Sequence, residues 1–149
     1  MSRLEGGCSC SSVRFSLKKP LFILACHCNA CKKRTGSAYG ISVVVENDAV
    51  EKFTGDTTTF TRVGDSGQKV EYDFCAKCGT TIRWRVARMP NRTVFAGGAL
   101  DDMTQVTIAG EIYTKDALPW AQRGCEMTCS SAPDEAFRAG LAQRAAHGR

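Results

Sequence analysis

No apolar run in this chain of 149 residues approaches the ~20 residues that a membrane span needs. The first residues, Met1-Ser2-Arg3-Leu4-Glu5-Gly6-Gly7, lack the apolar stretch of a secretory signal, so a cytoplasmic address is expected. Internal repeats, low-complexity tracts and linker-like stretches are missing too, and nothing justifies a second domain. Long basic blocks are absent: the net charge of +5 is scattered over Lys18-Lys19, Lys32-Lys33-Arg34 and Arg83, Arg85 and Arg88. With aromatics at only 8%, few platforms exist for stacking bases, so nucleic acid is a disfavoured partner, whereas small anionic ligands suit the charge.

Cysteine is what the chain has in excess. Nine are too many for a routine intracellular protein, yet an odd count without an export signal argues against a disulfide framework, because reducing compartments keep thiols free. Metal ligation is the leading explanation.

The remaining pattern is mainly β. Val13-Arg14-Phe15-Ser16-Leu17, Val70-Glu71-Tyr72-Asp73-Phe74 and Ile82-Arg83-Trp84-Arg85-Val86 alternate apolar and polar residues, the period of half-buried strands. Residues 21–25, 41–45, 57–61 and 93–96 are β-rich runs bounded by Pro, Gly or Asp. Turn signals at Gly55-Asp56, Gly64-Asp65-Ser66-Gly67 and Gly97-Gly98 come too close together for the helical crossovers of parallel strands, so antiparallel meanders are expected. One helix is predicted within the last twenty residues, where Pro133-Asp134-Glu135 forms a first turn and Phe137, Leu141 and Ala145 recur every four residues. It either caps the sheet or frays.

Seven cysteines fall into three clusters: Cys8-Ser9-Cys10, Cys26-His27-Cys28-Asn29-Ala30-Cys31 and Cys75-Ala76-Lys77-Cys78-Gly79-Thr80. A Cys-x-x-Cys turn brings two thiolates to one Zn²⁺ at ~2.3 Å, and Gly79 permits the positive φ such a turn requires. Cys75 and Cys78 thus form half a site, which Cys8 and Cys10 complete as a closed, structural Cys₄ tetrahedron. Cys26, Cys28 and Cys31 make an incomplete set. Either the fourth position stays open for an incoming thiol, the catalytic pattern, or His27 or a distant Cys closes a second structural site. His27 itself is assigned no role, being an orienting or solvent-facing residue rather than a catalyst. The adjacent Lys32, Lys33 and Arg34 either offset the negative charge of a three-thiolate zinc and attract the carboxylates of an acidic thiol such as glutathione, or form a solvated basic turn.

These residues give the chain a resemblance to the glutathione-dependent formaldehyde-activating enzyme family, also called centromere protein V-like. Gly7-Cys8-Ser9-Cys10, the central cluster with Arg34-Thr35-Gly36-Ser37, Phe74 to Thr80, and Gly97-Gly98-Ala99-Leu100-Asp101-Asp102 are each similar to its motifs. The resemblance implies an Mss4-like β-tent fold over a core of about 6–120, with a tail at 121–149. It implies two zinc ions, a structural one on Cys8, Cys10, Cys75 and Cys78 and a catalytic one on Cys26, Cys28 and Cys31. It also implies a carbon-sulfur lyase of the S-(hydroxymethyl)glutathione synthase type, with glutathione as co-substrate and a small aldehyde as partner.

Two features depart from the family pattern: Ser11 stands where Gly is usual, and a His common shortly before the Lys and Trp near Lys115 and Trp120 is missing. Cys125 and Cys129 are additions, four apart on an expected helical turn, read as plain thiols. Asp101 and Asp102 are read as turn formers. A rival reading from another class is a non-catalytic zinc module that binds a protein or nucleic-acid partner through its basic groups. Metal access separates the two: a second metal closed by a fourth protein ligand favours the module, an open one the enzyme.

Overall fold

Among the described residues the chain forms eleven strands. A computed structural model describes residues 3–121 and 124–146, with side chains through Arg144. In chain order the first elements are β1 (Leu4–Gly7), β2 (Arg14–Leu17), β3 (Phe22–Cys26), α1 (Asn29–Thr35), β4 (Gly40–Glu46) and β5 (Val50–Thr54). They are followed by β6 (Thr57–Val63), β7 (Lys69–Cys75), β8 (Thr81–Val86) and β9 (Arg92–Ala96). The last are β10 (Gly110–Ile112), β11 (Thr128–Cys129) and α2 (Glu135–Ala146). The protein is mainly β, with a C-terminal helix and clustered cysteines. No described helix is long and apolar enough to cross a membrane.

The chain forms two compact units: Met1–Pro20 with Val43–Gln105, and Leu21–Ser42 with Val106–Arg149. In the first, β1, β2 and β5 make an antiparallel sheet, and a second sheet runs β4, β9, β8, β7, β6. Phe15 of β2 meets Phe95 of β9 at 4.6 Å between ring centroids, and Leu17, Val43, Val45 and Ile82 are buried in the same unit. Each such side chain contributes about 1.5–3 kcal/mol on leaving water. Asp73 is buried on β7, where its carboxylate accepts hydrogen bonds from Thr59, Arg83 and Arg85. That pairing offsets the cost of burying a charge.

The second unit departs from the meander expectation. β10 pairs parallel with both β3 and β11, in the register Cys26, Ile112, Cys129 across three strands. The crossover that a parallel pair requires is supplied by the long stretch of chain between β3 and β10 rather than by one helix.

Two further expectations change. Besides the C-terminal helix there is α1, which begins inside the central cysteine cluster: Cys28 is its N-cap, Sγ accepting from the Cys31 N–H, and Gly36 ends it. Seven residues without an apolar repeat carry no helical period, so this helix was invisible to pattern. Cys125 and Cys129 do not share a helical turn, since Cys129 lies in β11 and Cys125 in irregular chain before it.

The C-terminal helix caps rather than frays. Asp134 Oδ1 accepts the Phe137 N–H at 2.8 Å, making Asp134 the N-cap. Phe137 and Leu141 are buried against Leu24, Ile112, Cys26, Cys28 and Cys31. Ala145, third in the expected repeat, lies outside the residues whose side chains are described. Gly110 is required where it stands, because a Cβ there would meet the Met127 carbonyl at 2.9 Å and the Phe137 ring at 3.0 Å.

Candidate metal centre

In the first unit the sulfurs of Cys8, Cys10, Cys75 and Cys78 all lie within 4.8 Å of one another. Cys8 and Cys10 follow β1, and Cys75 ends β7, so two segments 65 residues apart meet at one point. Cys8 Sγ is 3.5 Å from Cys10 Sγ, which is 3.8 Å from Cys75 Sγ. A tetrahedron of sulfurs about 2.3 Å from zinc has edges of about 3.8 Å, so this donor set has the size and the chemistry for that ion.

The turn after β7 is tight. The Cys75 N–H donates to the Thr80 carbonyl and the Gly79 N–H to the Cys75 carbonyl, each at 2.9 Å, and Gly79 takes φ 73° as its spacing predicts. Val13 N–H donates to Cys8 Sγ at 3.2 Å. Thr80 contributes in a way the motif did not reveal: its hydroxyl lies 3.1 Å from Cys78 Sγ and accepts the Ser9 N–H. The Thr80 hydroxyl, then the Thr80 and Cys10 N–H groups, pull the Cys78 thiol down to about 5, favouring the thiolate a metal requires. Ser11 occupies a left-handed conformation at φ 62°, which explains why glycine suits that position.

In the second unit Cys26, Cys28 and Cys31 are all buried, with their sulfurs within 4.8 Å of one another. Cys26 ends β3, Cys28 caps α1 and Cys31 lies in its first turn, so one short segment supplies the whole set. Hydrogen bonds from the Cys26 and Cys31 thiols, then from the Cys31 and Ala30 N–H groups, hold the Cys28 thiol far below its ordinary value against the effect of burial. Hydrogen bonding with the Cys28 and Cys31 thiols, then burial, pushes Cys26 up. Among the described residues no His, Cys, Asp or Glu joins these three as a fourth donor.

His27 is neither solvent-facing nor part of that group. It is fully buried, and its Nε2 pairs at 2.9 Å with Oε1 of Glu111, itself buried on β10. Sequence reasoning missed the partner of His27, because a lone Glu in a three-residue strand carries no pattern. Cys129 packs at the margin of the buried cluster that contains Cys26, Cys28 and Cys31, its thiol turned to the Ala132 carbonyl at 3.4 Å.

The three cations after Cys31 are placed differently. Lys32 Nζ donates to the Asp116 carbonyl at 2.7 Å, Lys33 is exposed and Arg34 is half-buried. The positive charge of Arg34 reaches Cys31. Asp101 holds Arg14 in an ion pair, and Asp102 accepts from the Thr104 N–H at 2.9 Å, the self-closing turn expected of it.

A sequence model of the glutathione-dependent formaldehyde-activating enzyme family matches residues 3–116. A crystal structure of a Rhodobacter sphaeroides protein, a structural-genomics target, superposes with a TM-score of 0.51 at 18% identity. The likeness covers 65% of this chain and 87% of that one, and at such low identity it supports the fold alone.

Proposed function

The chain belongs to the glutathione-dependent formaldehyde-activating enzyme family, and from that membership we propose that it is a zinc-dependent carbon-sulfur lyase of the S-(hydroxymethyl)glutathione synthase type. It joins the thiol of glutathione to formaldehyde or another small aldehyde. One observation carries this reading: three buried sulfurs, those of Cys26, Cys28 and Cys31, converge with no fourth donor among the described residues. That is the ligand count of an open site, whereas Cys8, Cys10, Cys75 and Cys78 have the count of a closed, structural one.

Cys26, Cys28 and Cys31 would hold the catalytic zinc, which when bound supplies a Lewis acid that keeps a thiol deprotonated at neutral pH. Lys32, Lys33 and Arg34 draw the carboxylates of glutathione and orient its sulfur. Sulfur then bonds to the carbonyl carbon as the carbonyl π bond opens, and the oxygen takes up a proton equivalent to the one the thiol lost. The whole chain, 1–149, acts as one domain, because each compact unit is assembled from two separate stretches of sequence. Nine cysteines outside any disulfide suit the cytoplasm.

Calorimetry tests the reading. Glutathione is expected to bind with release of a proton, measurable as a heat that changes with the ionisation enthalpy of the buffer, and S-methylglutathione to bind much more weakly. Equal affinity for both, with no buffer-dependent heat, would leave the chain a zinc module without this activity.

A further inference from the structure

Strand alternation separates the residues of the Cys26-His27-Cys28 segment. Cys26 pairs with Ile112 and Ala25 with Glu111 in the parallel ladder, so Cys26 shares the face of Leu24 and Ile112, and His27 shares the opposite face with Glu111. The two cysteines turn toward one side, and the histidine between them is gripped from the other. The His27 main-chain N–H donates to the Ile112 carbonyl at 3.0 Å, and ring and carboxylate meet at 2.9 Å with His27 0% and Glu111 2% exposed.

Glu111 is itself anchored at two further points. Its N–H donates to the Met127 carbonyl at 2.9 Å, and its Oε2 accepts the Cys125 N–H at 3.3 Å. Burying a carboxylate costs several kcal/mol before its partners repay it. A carboxyl group buried in this position depends on the partners that hold it.

We propose that Glu111 is a positioning residue for the three-cysteine centre, fixing the Cys26–Cys28 segment from behind through the His27 ring. The inference rests on reading Cys26, Cys28 and Cys31 as a metal site. The other nitrogen of the His27 ring, Nδ1, is buried without a hydrogen-bond partner among the described residues. Removing the carboxylate would leave a wholly buried imidazole without a bond, and the ring must then shift, carrying the backbone that bears Cys26 and Cys28.

The test uses the full chain loaded with zinc and dialysed against graded chelator, with the metals retained per chain counted and a thermal melt as the check on folding. Glu111→Ala is expected to lose the second metal at chelator levels the parent withstands, a weakening of about tenfold or more, the usual effect of removing an outer hydrogen-bonding partner. The metal on Cys8, Cys10, Cys75 and Cys78 should be kept by both. Glu111→Gln retains one acceptor oxygen for His27 and should fall between them, with a shifted sulfur-to-cobalt absorption band when cobalt replaces zinc. A general loss of stability would not produce that shift.

A Glu111→Ala protein that keeps its second metal as tightly as the parent, with the parent's cobalt spectrum, would overturn the inference alone. If Glu111→Ala fails to fold, Glu111→Gln decides, and parental affinity with a parental spectrum would overturn the inference. A parent that retains only one metal would overturn the metal reading of the three cysteines, and this inference with it.

Discussion

The two units gather cysteines by opposite routes. In the first, Cys8 and Cys10 come from the end of β1, while Cys75 and Cys78 flank the turn after β7, and two of the four are exposed. In the second, all three sulfurs come from residues 26–31 and all are buried. A site closed from distant segments constrains the chain, because losing it reopens a long loop whose closure entropy must then be overcome without the metal. A site made within one short segment closes almost no loop, so its cysteines matter to the fold as packing atoms, and a metal there would add little to the fold. On the proposed reading, a metal held by the first arrangement would be part of the architecture, and one held by the second would be exchangeable.

The comparison predicts its largest effect at Cys75 and Cys78. Changing either to Ser should release the metal of the first unit and unfold it, since binding energies of ~10 kcal/mol or more rival the ~5–15 kcal/mol that stabilise a whole domain. Circular dichroism with zinc counting measures this, and a folded variant holding all its metal would break the comparison. Cys28→Ser or Cys31→Ser should instead cost about 1–3 kcal/mol for the polar group buried, leave the protein folded, and remove one metal per chain. Loss of the folded state there would mean that the two roles are reversed.

Asp73 probes the first unit without touching either sulfur set. Asp73→Asn should cost about 1–3 kcal/mol by weakening its bonds to Arg83 and Arg85, with both metals retained. Despite the opposing effect of burial, hydrogen bonds from Arg85, Arg83 and Thr59 hold the Asp73 carboxyl below its ordinary value. Because the folded value is the lower one, its stabilisation is complete above the ordinary carboxylate range and is lost as pH falls through the depressed value. Denaturant midpoints followed into acid should show this loss in the parent and not in Asp73→Asn. The smallest effect is expected at Ser11: Ser11→Gly relieves the left-handed strain and should raise stability by about 0.5–1 kcal/mol, read as a higher denaturant midpoint with metal present.

Much of the fold was legible where sequence period and strand coincide. The alternation of residues 70–74 and 82–86 falls inside β7 and β8, and the Phe137, Leu141 spacing falls in α2. What escaped was short. β10 has three residues, β11 two and α1 seven, lengths over which neither a period of two nor of 3.6 can be distinguished from chance. The parallel pairing of β3 with β10 escaped for a different reason, since turn spacing reports on neighbours in sequence and says nothing of strands brought together across a long connection.

The sequence by itself determined the donor type, the pairing of cysteines within each turn, the need for Gly79, and the family to which these motifs belong, because all of these are local. A Cys-x-x-Cys turn has its geometry wherever it sits in a chain. The meeting of Cys8 and Cys10 with Cys75 and Cys78 was expected from the sequence and is seen in the fold, but only the tertiary structure decided that no fourth donor among the described residues joins Cys26, Cys28 and Cys31, and that His27 is locked to Glu111. Those outcomes depend on which strands lie side by side and which faces they bury, and burial is set by the whole folded chain.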